Sequence, residues 1–140
     1  NNKINNINLF KNYNIPVIET KTKVIKPPKI QNKKLLAFCG LGNPNKFYQT
    51  LRENGYNISL SKTFPDHYNY NYQIINNLIL TATKQNLELI TTEKDYVKIN
   101  NKKKLIHVLS IEMHLSVEDK SKLKLFLMEK INAESFSLSH

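Results

Sequence analysis

From Leu35 onward, short apolar runs alternate with stretches whose apolar residues recur at helical spacing. This alternation limits the fold more than any other feature of the chain. Strands that alternate with helices build a mostly parallel sheet covered on both faces, because each parallel connection must cross over the sheet. Residues 35–39 are continuously apolar, as a strand buried on both faces must be. Gly40-Leu41-Gly42 then turns the chain, Asn43 is placed to cap a helix, and Pro44 suits its first position. Phe47, Tyr48 and Leu51 follow on one helical face, and Gly55 is a natural stop. Residues 56–60 alternate as a second strand. Residues 71–84 carry Ile74, Ile75, Leu78, Ile79 and Ala82 as one helical stripe. Residues 87–90 read as a third strand, Thr92 as the cap of a short helix, and residues 105–111 as a fourth strand. Ser116 and Asp119 have capping-box spacing, ahead of a helix with Leu123, Phe126, Leu127 and Ile131 on one face. The order is β-α-β-α-β-α-β-α, so the expected class is α/β.

Upstream, residues 1–14 are polar and lack a clear period, and residues 16–30 alternate as a strand that Pro27-Pro28 ends. The expected boundaries are an N-terminal segment with a strand and linker (residues 1–33), an α/β lobe (34–133) and a loose tail (134–140). A chain of 140 residues is long enough for one domain with a core. Cys39 is the single cysteine, so no internal disulfide forms, and its apolar setting reads as a buried thiol in a reducing compartment. No apolar stretch approaches the roughly 18 residues of a membrane span, and no signal peptide is present.

The formal net charge is +10, which draws anionic partners such as nucleic acid, acidic lipid or a phosphorylated substrate. Arg52 is the one arginine, however, and bidentate reading of bases and phosphates leans on arginine. Lysines scattered through an Asn- and Ile-rich chain also fit codon bias and a solvated basic surface.

Three stretches carry chemistry. Gly40-x-Gly42 before a helix resembles the start of a dinucleotide loop, but Asn45 stands where the third glycine belongs. No Lys-Ser or Lys-Thr pair follows a glycine loop, so there is no Walker-type phosphate cradle and no metal-binding hydroxyl. The bland reading is a tight turn; the helix start still favours an anion. In "FPDHYNY", Asp66 and His67 follow Pro65 in a loop at a strand end, where open α/β sheets do their chemistry. An imidazole there is suited to accept a hydroxyl proton, although a His that only orders a turn has the same signature. "TTEKD" places Thr91, Thr92, Glu93, Lys94 and Asp95 at a strand-to-helix turn that either binds an anion or caps itself. His107 and His114 flank a strand without paired carboxylates and read as structural, and the Lys102-Lys103-Lys104 run reads as a solvated turn.

The stretches "LLAFCGLGNPNKFYQTLRENGY", "FPDHYNY" and "LITTEKDYVKI", in this order and spacing, resemble the C-terminal half of the tetraacyldisaccharide 4′-kinase (lipid A 4′-kinase) family. The resemblance covers residues 34–114, with "IPVIETKTKVI" as a weaker continuation upstream. It implies a P-loop kinase that uses ATP and Mg²⁺ to phosphorylate the 4′-hydroxyl of tetraacyldisaccharide 1-phosphate, forming lipid IVA at the cytoplasmic face of the inner membrane. It also implies that the P-loop, the other acidic catalytic residues and the membrane anchor belong to the N-terminal half, so that this chain alone is inactive. The family's Asp-His pair falls on Asp66 and His67, where the histidine works with an aspartate of the other half. Gly40, Gly42, Asn43 and Pro44 match one family loop, and Thr92, Glu93, Lys94 and Asp95 match another, as site-shaping residues. The family often has a second His after the pair, and here it is Tyr68. The competing reading is a free-standing basic module for nucleic acid or an anionic membrane, with Tyr68, Tyr70 and Tyr72 as base-stacking groups. The single arginine and the scattered lysines weigh against nucleic acid.

Overall fold

The computed structural model describes residue 18, residues 20–100 and residues 103–137. The elements are β1 (Lys21–Ile25), β2 (Lys34–Cys39), α1 (Pro44–Glu53), β3 (Asn57–Thr63), α2 (Tyr72–Lys84), β4 (Glu88–Thr92), α3 (Glu93–Tyr96), β5 (Ile106–His114) and α4 (Val117–Ser137). A short 3-10 turn, Lys103–Leu105, precedes β5. The strands form one sheet in the order β1-β5-β4-β2-β3, and β2 pairs in parallel with both β3 and β4, as β4 does with β5. The expected α/β architecture and element order are therefore present. Residues 1–14 and Lys102, on which further expectations rested, lie outside the described residues.

The alternation of side chains along β2 explains the two-faced core. Leu35, Ala37 and Cys39 point to one face, where they pack with Phe47, Tyr48 and Leu51 of α1. Leu36 and Phe38 point to the other, where they meet Ile75, Leu78 and Ala82 of α2. Every residue of β2 after Lys34 is buried, which is why this strand reads as continuously apolar rather than alternating. The thiol of Cys39 donates to the Tyr48 hydroxyl at 3.7 Å, and desolvation raises its pKa, as befits an inert core group.

Helix ends follow local chemistry with one exception. The Asn71 side chain accepts from the Ile74 N–H, and Thr92 Oγ1 accepts from the Asp95 N–H. Asn43, expected to cap α1, makes no such bond. Its ψ is 80°, against 168° at Asn71 and 160° at Thr92, so its side chain is turned away from the first helical amides. The proline that follows restricts Asn43 and also removes one amide that would have needed a cap. Gly55 closes α1 at φ +80°, the left-handed conformation that glycine allows.

Residues 24–112 form one compact unit. In the second unit, Ser116 Oγ accepts from the Asp119 N–H and caps α4 as expected. The helix runs to Ser137 instead of ending near Ala133, since no Gly or Pro intervenes to stop it. Of its expected apolar face, Leu123 and Phe126 are half-buried, whereas Leu127 and Ile131 are exposed. No helix among the described residues is long and apolar enough to cross a membrane.

Candidate active site

The chain leaves β2 for β3 on one side, then crosses to β4 on the other. The carboxyl ends of β2 and β4 therefore mark the point where the winding reverses, the usual ligand crevice of an open α/β sheet. Here that point is tied shut. The Gly40 N–H donates to Asp95 Oδ2 at 3.0 Å, and Thr92 Oγ1 donates to the same oxygen at 2.8 Å. Asp95 is fully buried, and the Lys98 ammonium stands 3.7 Å from its Oδ1. Burial and then the Asp95 carboxylate push the pKa of the Tyr70 phenol up, which keeps that hydroxyl protonated beside it.

Gly40 is required by close approach. A Cβ there would lie 2.9 Å from the Pro65 carbonyl and 3.2 Å from Asp95 Oδ1. One on Gly42 would meet nothing nearer than Asp66 Oδ2, at 3.4 Å. Gly40→Ala is expected to cost about 1–3 kcal/mol through overpacking against backbone. Gly42→Ala is expected to stay within about 0.5 kcal/mol, as a surface change does. Urea melts of the two variants read the difference, and equal midpoints would remove this account of the Gly-x-Gly turn.

A nucleotide does not fit this loop. The Gly40 amide that would face a phosphate is already spent on Asp95, and Asp95 brings negative charge to the same point. Among the described residues, no group of three or more His, Cys, Asp or Glu side chains is placed to hold a metal ion.

The open chemistry lies one strand over, in the loop after β3. The Tyr68 N–H donates to the Pro65 carbonyl at 3.2 Å and closes a turn that holds His67 at φ +58°. That conformation is uncommon for a residue with a Cβ, and such residues gather at functional sites. Asp66 Oδ1 accepts the His67 N–H at 2.9 Å and the Lys94 ammonium at 2.9 Å. The Lys94 bond holds the Asp66 carboxyl below its ordinary range, so the carboxylate stays ionised. His67 Nε2 lies 3.9 Å from Asp66 Oδ2, beyond hydrogen-bond reach, and the imidazole is 78% exposed. The ring is thus presented to the outside on a constrained turn.

Beneath the turn sits an aromatic cluster. Phe64 stacks on Tyr68 with ring centroids 4.7 Å apart, and Tyr70 meets Phe38 and Phe64 edge-on. Tyr70 is buried and Tyr68 is half-buried, so both rings are committed to packing.

The structure thus brings Gly40, Gly42, Asp66, His67, Thr92, Lys94 and Asp95 to one end of the sheet. Asn43 and Pro44 open α1 there, and Glu93 points elsewhere, accepting from Ser110 Oγ at 2.6 Å. His107, expected to lack a carboxylate partner, instead meets Glu88 at 3.4 Å across β4 and β5, because the parallel register, with Ile90 opposite His107, puts the two on one face of neighbouring strands. Two links were not visible in sequence: Asp95 to Gly40, 55 residues apart, and Lys94 to Asp66, 28 apart. The usable signal was the cap pattern at Thr92, which put Asp95 within reach of the Thr92 hydroxyl.

Comparison with known proteins matches residues 3–132 to the tetraacyldisaccharide-1-P 4′-kinase family. The tetraacyldisaccharide 4′-kinase of Rickettsia bellii is 45% identical over 86 residues, covering 61% of this chain and 27% of that protein. The Rickettsia akari protein of the same name is 40% identical over 101 residues, covering 72% and 31%. The chain spans about a third of the length of the curated relatives it matches. Among solved structures, LpxK from Aquifex aeolicus, crystallised in complex with ATP, superposes with a TM-score of 0.54 at 21% identity. The match covers 81% of this chain and 36% of that one, a likeness of fold.

Proposed function

Because this chain belongs to the tetraacyldisaccharide-1-P 4′-kinase family, we propose that it forms the C-terminal, hydroxyl-activating part of a kinase acting on a lipid disaccharide. In this reading the substrate is tetraacyldisaccharide 1-phosphate, the product is lipid IVA, and ATP gives up its γ-phosphoryl group. His67 accepts the proton of the sugar 4′-hydroxyl as that oxygen attacks phosphorus, and Asp66 supports the turn that presents the ring. A sugar hydroxyl is a weak nucleophile, and phosphoryl transfer depends on placing it in line and accepting its proton. The reading is carried by one observation: an exposed imidazole on a constrained turn, at the sheet end where three sequence-distant motifs converge.

ATP and Mg²⁺ are held by residues outside this sequence, since the glycine turn here is closed by Asp95. Alone, the chain is catalytically incomplete. The lipid substrate places the reaction at the cytoplasmic surface of the inner membrane, where the chain's +10 charge favours anionic headgroups.

The test supplies the chain with the family's nucleotide-binding part, on one polypeptide or two. Label from γ-³²P ATP should appear on tetraacyldisaccharide 1-phosphate only when both parts are present. Transfer by this chain alone, or none from a combination whose nucleotide part binds ATP, would overturn the reading.

A further inference from the structure

We infer that Lys94 is a positioning residue for His67 that acts through Asp66, an inference that rests on reading this loop as the active site. The geometry is a clamp between two loops of different strands. Lys94 leaves the α3 turn after β4 and reaches Asp66 in the loop after β3, with 2.9 Å between Nζ and Oδ1. The same Oδ1 receives the His67 amide at 2.9 Å. One carboxylate oxygen therefore joins the cation of one loop to the backbone of the other, at the residue whose left-handed conformation aims the imidazole.

Charge gives the clamp a second effect. Asp66 lies 3.9 Å from the imidazole, and the Lys94 ammonium, 2.9 Å from its other oxygen, opposes its charge. The charged groups acting on Asp66 among the described residues are Lys94, from the α3 turn, and His67, from its own loop. The loop after β2 brings only Gly42, which carries no charge, against Oδ2. Lys94 therefore fixes Asp66 in place and leaves the ring to its partner in the reaction instead of to Asp66.

The test reads the chain's own ground state. The side-chain carboxyl carbon of Asp66 and the amide of His67 are followed by NMR between pH 1.5 and 6. In the unaltered chain both should titrate together, below the ordinary aspartate value of 3.8. Lys94→Met should move that midpoint up toward the ordinary value and shift the His67 amide signal. Lys94→Arg should restore both. Should Lys94→Met fold poorly, raising salt to 0.5 M in the unaltered chain should raise the same midpoint, because the pair is half-exposed and screened. An unmoved midpoint overturns the clamp whatever the activity.

In the complete kinase, Lys94→Met should lower kcat about tenfold with KM little changed, as misplacement of a reacting group does. If the midpoint moves and His67→Ala is inactive while Lys94→Met keeps full kcat, the positioning role is overturned. If His67→Ala is itself fully active, the reading of the site fails while the clamp stands.

Discussion

Asp95→Ala is expected to destabilise the fold by about 3–5 kcal/mol, the range measured when one partner of a buried ion pair is removed. Its carboxylate is fully buried and accepts from two donors, the Gly40 N–H and Thr92 Oγ1. The truncation would strand the Gly40 amide, the Thr92 hydroxyl and the Lys98 ammonium together. For a domain with a net stability of about 5–15 kcal/mol, the loss is a large share of the total. In urea, with a slope of about 1–3 kcal/mol per molar, the midpoint should fall by roughly 2 M. Asp66→Ala provides the contrast. That carboxylate is 42% exposed, and solvent screens its pair with Lys94, so its removal should leave the urea midpoint nearly unchanged. Two aspartates at one sheet end thus divide the work, one holding the loops together and one serving the exposed turn. Equal midpoints for the two variants would sink that division.

The pattern of elements was legible because the physics that sets it is local. A strand buried on both faces must be apolar throughout, and β2 is; a helix packed on one side must show a stripe, and α2 does. The Thr92 cap was legible for the same reason, since a hydroxyl three residues before an amide lies within reach of it. Asn43 has the same local signature, yet its ψ of 80° departs from the extended value of the two working caps and its side chain makes no cap bond. The links that build the site were not legible. Asp95 meets Gly40, and Lys94 meets Asp66, only because β2 lies between β3 and β4. Alternation of strands and helices states that a parallel sheet forms, and leaves its strand order open. The tyrosines of the β3 loop show the same limit. Interleaved with Asn they read as exposed, yet Tyr70 is buried against Phe38, a contact that depends on α2 closing over that face.

Replacement of His67 is expected to lower the kcat of the complete kinase by about 10²–10⁴, the usual contribution of a positioned general base. The choice of variant matters, because His67 sits at φ +58°, where alanine is as strained as histidine and glycine is not. His67→Gly should therefore keep or slightly raise stability while removing the imidazole. Its effect on rate cannot then be assigned to a damaged fold. KM for the lipid should change little, since the ring acts on the hydroxyl proton in the transition state and contributes little to holding the substrate. The 78% exposure of the side chain gives a further test. Once glycine removes the ring, its place lies open to solvent, and imidazole added to the buffer should restore part of the rate in His67→Gly and none in the unaltered enzyme. A turn-ordering histidine would respond differently, because glycine satisfies the turn by itself and no added base would matter. Full activity in His67→Gly would remove the residue from the chemistry. A low rate that imidazole leaves untouched, with a raised KM, would assign it to binding the lipid instead.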